Sequence, residues 1–149
     1  MQRHKKVKAG LAALAIAGGA AVATFGPSSP AMAFFSPPLL LEIHVNSATL
    51  VAKGAGANVI VQVECSGAST ADVEVSLTQK AGSEIATGFG YTEIGCTNRN
   101  QNVIVPVTAQ QGKAFKKGNV VANADVFACT PHFRVCGDEQ DQRTIAISK

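Results

Sequence analysis

The sequence predicts an all-β protein, an antiparallel β-sandwich of about seven strands that follows an export signal. Apolar and polar residues alternate in several short segments, turn-forming residues separate these segments, and no stretch after residue 33 has a useful helical period. The clearest segment is Ala57–Cys65, in which Val59, Val61, Val63 and Cys65 share one side of an extended strand. One apolar and one mostly polar face is typical of an antiparallel sheet packed on one side.

Residues 1–33 have the pattern of a secretory signal peptide. Basic residues precede an apolar run of Ala, Leu and Gly, and Ala31-Met32-Ala33 is a small-residue cleavage signal. The alternative, a membrane anchor, is disfavoured because the run is marginal for a span and contains several glycines. We therefore expect a secreted, extracellular protein whose mature chain has no membrane span. Residues 34–38 form an extended, proline-containing N-terminal arm, and residues 39–149 form the β-sandwich domain.

The charge of the mature chain argues against nucleic-acid binding. Four of the 13 basic residues lie in the signal, so residues 34–149 carry nine bases and ten acids, a formal charge of −1. A nucleic-acid-binding protein needs a net basic footprint, which this chain lacks. Its 116 residues are enough for one domain, and we expect a monomer.

The strands are justified in order by their alternation and by the turns between them. Leu39–Asn46 is predicted to end in a turn at Asn46-Ser47, and Thr49–Lys53 could briefly continue the same edge. In the strand Glu84–Cys96 we place the Cys96 side inward, and Gly88 and Gly90 on that side suggest a bulge or the close approach of another backbone. Pro106 cannot donate to a ladder, which places the fifth strand at an edge or a bulge. The seven candidates are Leu39–Asn46, Ala57–Cys65, Thr70–Lys80, Glu84–Cys96, Gln101–Ala109, Asn119–Cys129 and Thr144–Ile147.

Residues Thr130–Gln142 are predicted to form a loop before the last strand, with Asp138, Glu139 and Asp141 as a solvated acidic patch. Seven short strands and a Val/Ala-rich interior favour an immunoglobulin-like sandwich, and a small closed barrel is the alternative. The chain has no Trp, so an antibody-type domain is not implied.

The four cysteines predict two disulfides, because exported thiols normally oxidise. Cys65 and Cys96 both lie on predicted inward faces, whereas Cys129 points away from its strand's apolar face and lies seven residues before Cys136. We therefore favour Cys65–Cys96 and Cys129–Cys136, with Cys65–Cys129 as the alternative. A zinc site that adds His132 to Cys129 and Cys136 is less favoured, because export favours the disulfide. No metal or other cofactor is predicted.

A resemblance is carried by the following segments: the signal peptide, the strand ending at Cys65, Val75–Lys80, Ile85–Gly88, Cys96, Phe115–Gly118 and Phe127–Cys129. In these segments the chain resembles small secreted proteins of high-GC Gram-positive bacteria, which implies location and fold but no activity. Its small, exported, two-disulfide architecture is also similar to that of the enediyne-carrier apoproteins of the neocarzinostatin type. Those proteins hold an apolar chromophore in a cleft, but their cysteine spacing differs and this chain lacks Trp.

The sequence does not specify an activity. It contains no nucleophile elbow, zincin motif or phosphate-binding glycine loop, so we expect no enzyme. The candidate contact surface is Lys113, Lys116 and Lys117 around Phe115, which could bind anionic cell-wall polymer or lipid headgroups. The alternative is a solvated loop that an inward Phe115 pins in place. The chain is thus expected to be an extracellular or cell-wall-associated binding or structural module; the alternative is a carrier of a small apolar ligand in a cleft.

Overall fold

The computed structural model describes residues 38–110 and 113–149. The predicted signal peptide and residues 34–37 of the N-terminal arm lie outside these ranges. Seven strands account for most of the described chain, which confirms the all-β class and the strand number. Two short 3-10 turns, Ala52–Gly54 and Pro131–Phe133, complete the elements. The strands are β1 (Leu40–Val51), β2 (Gly56–Ser66), β3 (Thr70–Ala81), β4 (Glu84–Gly95), β5 (Gln101–Ala109), β6 (Gly118–Cys129) and β7 (Cys136–Ser148).

The strands form one sheet that closes as a barrel in the order β1-β2-β5-β4-β3-β6-β7. The predicted sandwich is therefore not confirmed, and the closed barrel matches the observed ladders. Two seams of this barrel are narrow, because β4 and β5 share only two residue pairs and so do β1 and β7. The β1–β7 pairing is parallel and all other pairings are antiparallel. The seams separate a three-stranded segment, β1-β2-β5, from a four-stranded segment, β4-β3-β6-β7.

The core is built by alternation along each strand. Val59, Val61, Val63 and Cys65 of β2 are fully buried, as the sequence predicts. The inward residues of β3, β5 and β6 follow the same period of two and are mainly Val and Ala. Their burial removes apolar surface from water, which is the dominant favourable term in folding.

Asn46 lies at a β-bulge, so the predicted turn at Asn46-Ser47 is wrong. The register with β2 shifts between Val45 and Ser47, and β1 continues to Val51. The extra residue reverses the phase of the strand, which brings Ala48 inward after Val45. A polar Asn-Ser pair is typical of a turn, but here the pair lies at a bulge within a continuous strand.

Gly88 and Gly90 of β4 face the barrel interior, as the inward Cys96 side predicts. Ala86, Gly88 and Gly90 are buried, whereas Phe89 and Tyr91 are exposed. A Cβ at Gly90 would lie 2.4 Å from the carbonyl oxygen of Pro106, so only glycine permits this approach of β5.

Pro106 explains why the β4–β5 seam is narrow. Thr108 pairs with Phe89, and Gln110 donates its N–H to the Thr87 carbonyl at 2.7 Å. The next alternate residue along β5 is Pro106, which has no N–H to donate. The ladder between the two segments therefore ends there. β5 lies between β2 and β4 in the closed order, so the edge predicted from Pro106 applies only to the side of β5 that faces β4.

The predicted loop Thr130–Gln142 is wrong over most of its length, because β7 begins at Cys136 and pairs with β6 along twelve residues. Only Thr130–Val135 form the connection. The first half of β7 has polar or charged residues on both faces, so it shows no alternation to detect. The acidic residues Asp138, Glu139 and Asp141 therefore lie on a strand and not in a loop.

Both predicted disulfides are present. Cys65 pairs with Cys96, and Cys129 pairs with Cys136 directly across the β6–β7 hairpin. The first links the end of β2 to the residue after β4, and so joins the three-stranded to the four-stranded segment. The second leaves no thiolate at Cys129 or Cys136 for the alternative zinc site.

Candidate functional site

All lysines of the described residues lie at one end of the barrel, which we call the lysine end. It consists of the β1–β2, β3–β4 and β5–β6 connections and the end of β7. Of the acidic residues only Glu84 lies there, and the other nine occupy the opposite half of the barrel. The described residues carry nine bases and ten acids, so a nearly neutral part of the chain is strongly polarised. The lysines are Lys53, Lys80, Lys113, Lys116, Lys117 and Lys149.

The predicted contact cluster is part of this end, but Phe115 does not belong to its surface. Lys113, Lys116 and Lys117 are exposed, whereas Phe115 is only 2 % exposed. Its ring enters the barrel interior beside Gly88, where an added Cβ would lie 2.7 Å from the ring Cζ. An apolar ring gains more from this burial than from a place among lysines. The contact surface is therefore corrected to the three lysines, with Phe115 as the inward anchor beneath them.

A buried glutamine holds the β5–β6 connection on the barrel. Gln79, at the end of β3, is 3 % exposed. Its amide nitrogen donates to the carbonyl oxygens of Lys116 and Asn119 at 2.7 and 3.2 Å, and its carbonyl accepts the Lys116 N–H at 2.8 Å. Because these bonds go to the main chain, the Lys116 side chain stays free to point outward. Gln79 continues the inward period of Val73, Val75 and Leu77, so the alternation of β3 marks it as a polar residue on the core face, a signal that sequence reasoning missed.

The β1–β2 connection is bonded to the same loop through its main chain. Phe115 donates its N–H to the Gly54 carbonyl at 2.8 Å, and Ala109 donates to the Ala55 carbonyl at 2.9 Å. Gly54 has a φ of +92°, and a Cβ there would lie 2.2 Å from the Phe115 carbonyl oxygen. Only glycine fits both conditions. Lys53, with φ +57°, is thereby held next to the β5–β6 connection.

A cleft of about 300 Å³ lies between the two connections. Lys53 and Lys113 stand at its sides, and small residues, mainly alanine, line the rest. Lys113 also forms an ion pair with Glu84, which holds the pKa of that carboxyl below its ordinary value through the hydrogen bond and the lysine charge. Lys53, Lys80, Lys116 and Lys117 have no ion-pair partner among residues 38–110 and 113–149. The cleft therefore combines a small, apolar floor with positive charge.

The lysine end could have been located in the sequence by numbering the connections between predicted strands and asking which of them carry lysines. When successive strands of a chain run in opposite directions, the first, third and fifth connections lie at the same end. Lys53 lies in the first connection, Lys80 beside the third and Lys113–Lys117 in the fifth.

The outer face of the four-stranded segment carries a second charged surface, which sequence reasoning missed. It includes Asp72 and Glu74 of β3, Tyr91 of β4, and Asp125 and Phe127 of β6, around a cleft of about 340 Å³. The Tyr91 hydroxyl donates to Asp72 Oδ1 at 2.6 Å. This hydrogen bond, together with desolvation and the neighbouring negative charges, raises the pKa of Tyr91 to about 12.

Asp141 fills a gap between β1 and β7, where the two strands are not paired. Its Oδ2 accepts the Val45 N–H at 2.7 Å and lies 2.7 Å from Arg143 Nε. Burial alone would raise the pKa of this carboxyl, but the hydrogen bonds from Val45 and Arg143 and the arginine charge outweigh it and lower the pKa. A side chain thus satisfies a strand donor that the neighbouring strand does not reach.

Neither a metal-binding cluster nor a membrane-spanning helix is present in the described part of the chain. No group of three or more His, Cys, Asp or Glu side chains is arranged to hold a metal ion there. No described helix is long and apolar enough to cross a membrane.

Comparisons with known proteins do not show a family. No family model matches the chain, and no curated protein matches it. The crystal structure of AggA, the major subunit of aggregative adherence fimbriae type I from Escherichia coli, matches 76% of this chain and 96% of that chain. The identity is 13% and the TM-score 0.36, and we base no conclusion on so weak a likeness. The resemblances to secreted Gram-positive proteins and to neocarzinostatin-type carriers stay predictions.

Proposed function

We propose that this protein is an exported, non-catalytic β-module that binds anionic polymer of the cell wall through its lysine end. The observation that carries the proposal is the segregation of charge, with six lysines and one acidic residue at that end. Clustered charges of one sign raise the local concentration of an oppositely charged ligand. A charged polymer can contact several such lysines at once, so that individually weak contacts add up.

The lysines are presented by a fixed scaffold, which favours a binding role over a merely solvated loop. Phe115 and Gln79 attach the β5–β6 connection to the core, and Gly54 attaches it to the β1–β2 connection. A loop that is already ordered loses less conformational entropy when it binds a ligand. The cleft between Lys53 and Lys113 has room for one anionic group of such a polymer.

We also propose that the barrel is an immunoglobulin-like fold made by an exported chain. The two narrow seams support an immunoglobulin-like arrangement of a three-stranded and a four-stranded sheet, which the covalent link Cys65–Cys96 joins. The paired cysteines support export to an oxidising compartment. Exposed loops at one end of a rigid β scaffold are common binding sites.

The alternative carrier function has less support. A carrier needs a concave apolar site for its ligand, whereas the clefts beside Tyr91, His44 and Lys53 open to solvent on the surface of the described residues. The inward residues of the described strands pack into one continuous core.

The test compares two variants with the same change in net charge. Lys116→Gln/Lys117→Gln removes two charges from the lysine end and spares Lys113, which pairs with Glu84. Arg99→Gln/Arg134→Gln removes two charges from the connections at the opposite end. Binding to immobilised poly(glycerol phosphate) should weaken about tenfold for the lysine variant at low salt, because each exposed charge contributes up to about 1 kcal/mol. The arginine variant should bind like the parent.

Vesicles of phosphatidylglycerol separate the two sources of anionic groups. We expect retention on poly(glycerol phosphate) to exceed retention on vesicles of the same phosphate content. A single polymer chain can enter the cleft, whereas the headgroups of a bilayer are packed side by side in a surface and cannot. Equal binding of the parent and the lysine variant to the polymer at every salt concentration would overturn the proposal. Preference for vesicles would assign the lysine end to lipid headgroups.

A further inference from the structure

We propose that the lysine end of one molecule docks on the acidic outer face of a second copy, so that the protein associates through two different surfaces. This inference goes beyond polymer binding and does not require it. It revises the monomer expected from the sequence. The acidic face consists of the outward residues of the four-stranded segment at the end opposite the lysines, and the two surfaces are complementary in charge.

The acidic face is defined by two cross-strand rows. The rows are two residues apart along the strands, and each crosses β4, β3, β6 and β7. The first row is Glu93, Asp72, Phe127 and Asp138, and the second is Tyr91, Glu74, Asp125 and Gln140. Five of these eight positions are carboxylates, and none of the five has an ion-pair partner among the described residues.

These carboxylates are placed unfavourably for an isolated protein. Asp72 lies directly opposite Glu93, and Glu74 lies directly opposite Asp125. Like charges at directly opposed positions of antiparallel strands destabilise the pair. A cationic partner would remove this repulsion on docking, so the same feature that weakens the free face strengthens a complex.

The aromatic residues of the face suit lysine in particular. Tyr91 is 49% exposed and Phe127 43% exposed, and both line the cleft of about 340 Å³ among the carboxylates. A lysine can lay its apolar stem along such rings while its ammonium group reaches the carboxylates. The face thus offers apolar contact and negative charge within one cleft.

The two surfaces cannot neutralise each other within one molecule. Glu74 and Lys80 lie on the same strand, six residues apart, which corresponds to about 20 Å. Charges at this separation are largely screened at physiological salt, where the Debye length is about 8 Å. A second molecule can bring its lysine end into direct contact with the face. An interface between unlike patches leaves one free patch of each kind, so further copies can add.

Sedimentation velocity of the purified protein tests the inference. We expect concentration-dependent association at low salt, weakened about tenfold or more at 0.3 M NaCl by screening. Glu74→Gln/Asp125→Asn should abolish it. Glu42→Gln/Glu64→Gln, the matched control, changes the net charge equally on the outer face of β1 and β2 and should leave association intact. EDTA should have no effect, and dissociation by EDTA would assign the face to a divalent cation and overturn the proposal.

A mixing experiment then tests for two different surfaces. Lys116→Gln/Lys117→Gln and Glu74→Gln/Asp125→Asn should each stay monomeric alone, because each lacks one surface. An equimolar mixture should form 1:1 dimers that do not grow further, since only one intact lysine end and one intact acidic face are available. A parent protein that is monomeric at low salt, or variants that associate alone as the parent does, would overturn the proposal. Polymer binding by a monomeric parent would leave the proposed function standing.

Discussion

Replacing Phe115 with alanine is the sharpest test of how the lysine end is built. The ring is 2% exposed and fills the end of the barrel. Beneath it, Gly88 has no side chain that could move into the vacated space, and its backbone is fixed in the β3–β4 ladder. The cavity can therefore collapse only partly. We expect a cost near the usual range for buried Phe→Ala changes, about 3–5 kcal/mol.

That cost is a large share of the total stability of a small domain, which is typically about 5–15 kcal/mol. The change should lower the midpoint of urea unfolding at constant slope and reduce the melting temperature by about 10 °C or more. Phe133→Ala is the matched control, because Phe133 is 83% exposed and loses the same atoms. It should change stability by about 0.5 kcal/mol or less. If Phe115→Ala costs no more than Phe133→Ala, the ring does not anchor the loop and our assignment is wrong.

Three further predictions concern polar groups. Tyr91 is the one tyrosine of the chain, so absorbance at 295 nm reads its ionisation directly; it should titrate near pH 12, and Asp72→Asn should bring the midpoint back towards 10. The pKa of Asp141 is lowered in the folded state, so the stabilisation that its carboxylate contributes is present above the unfolded pKa and is lost as pH falls through the folded pKa. Asp141→Asn should therefore lower the free energy of unfolding by about 1 kcal/mol at pH 7 and by much less at pH 2. Urea unfolding at the two pH values measures this difference. Gln79→Leu should lower the free energy of unfolding by about 2–3 kcal/mol, because it leaves the buried N–H of Lys116 without its acceptor. Gln79→Glu can still accept that N–H, and its free energy of unfolding should differ between pH values below and above the titration of the new carboxyl.

The strands that alternate could be predicted from the sequence, because one face of each meets the core. This was so for Val59, Val61 and Val63, and for the phase of Cys129, which favoured its pairing with Cys136. The first half of β7 could not be predicted, since its position depends on pairing with β6 and not on an apolar face of its own. The Asn46 bulge was missed for a similar reason, because local polarity suggests a turn and only the β2 partner shows that the strand continues.

The candidate surfaces depend on topology, which the sequence does not fix. The lysine cluster Lys113–Lys117 was visible as a local run, but its union with Lys53 and Lys80 requires three connections to meet at one end. The acidic face requires β3 to lie between β4 and β6, so that Asp72 and Glu74 have acidic neighbours on both sides. No local pattern specifies this neighbour order.

The parallel seam between β1 and β7 has a mechanical consequence. β1 begins at the acidic half and β7 ends at the lysine end, so a pull on these two strand ends acts along the strands. The β1–β7 seam itself has only two residue pairs, so the load passes to the long β1–β2 and β6–β7 ladders. These ladders are loaded in shear, and many hydrogen bonds must break together instead of one after another. The disulfides Cys65–Cys96 and Cys129–Cys136 also close loops with sequence separations of 31 and 7. The residues in these loops cannot extend under force until the disulfides are reduced. In the proposed arrangement, between a polymer and a neighbouring molecule, such a module should resist force well and extend in shorter steps under oxidising than under reducing conditions.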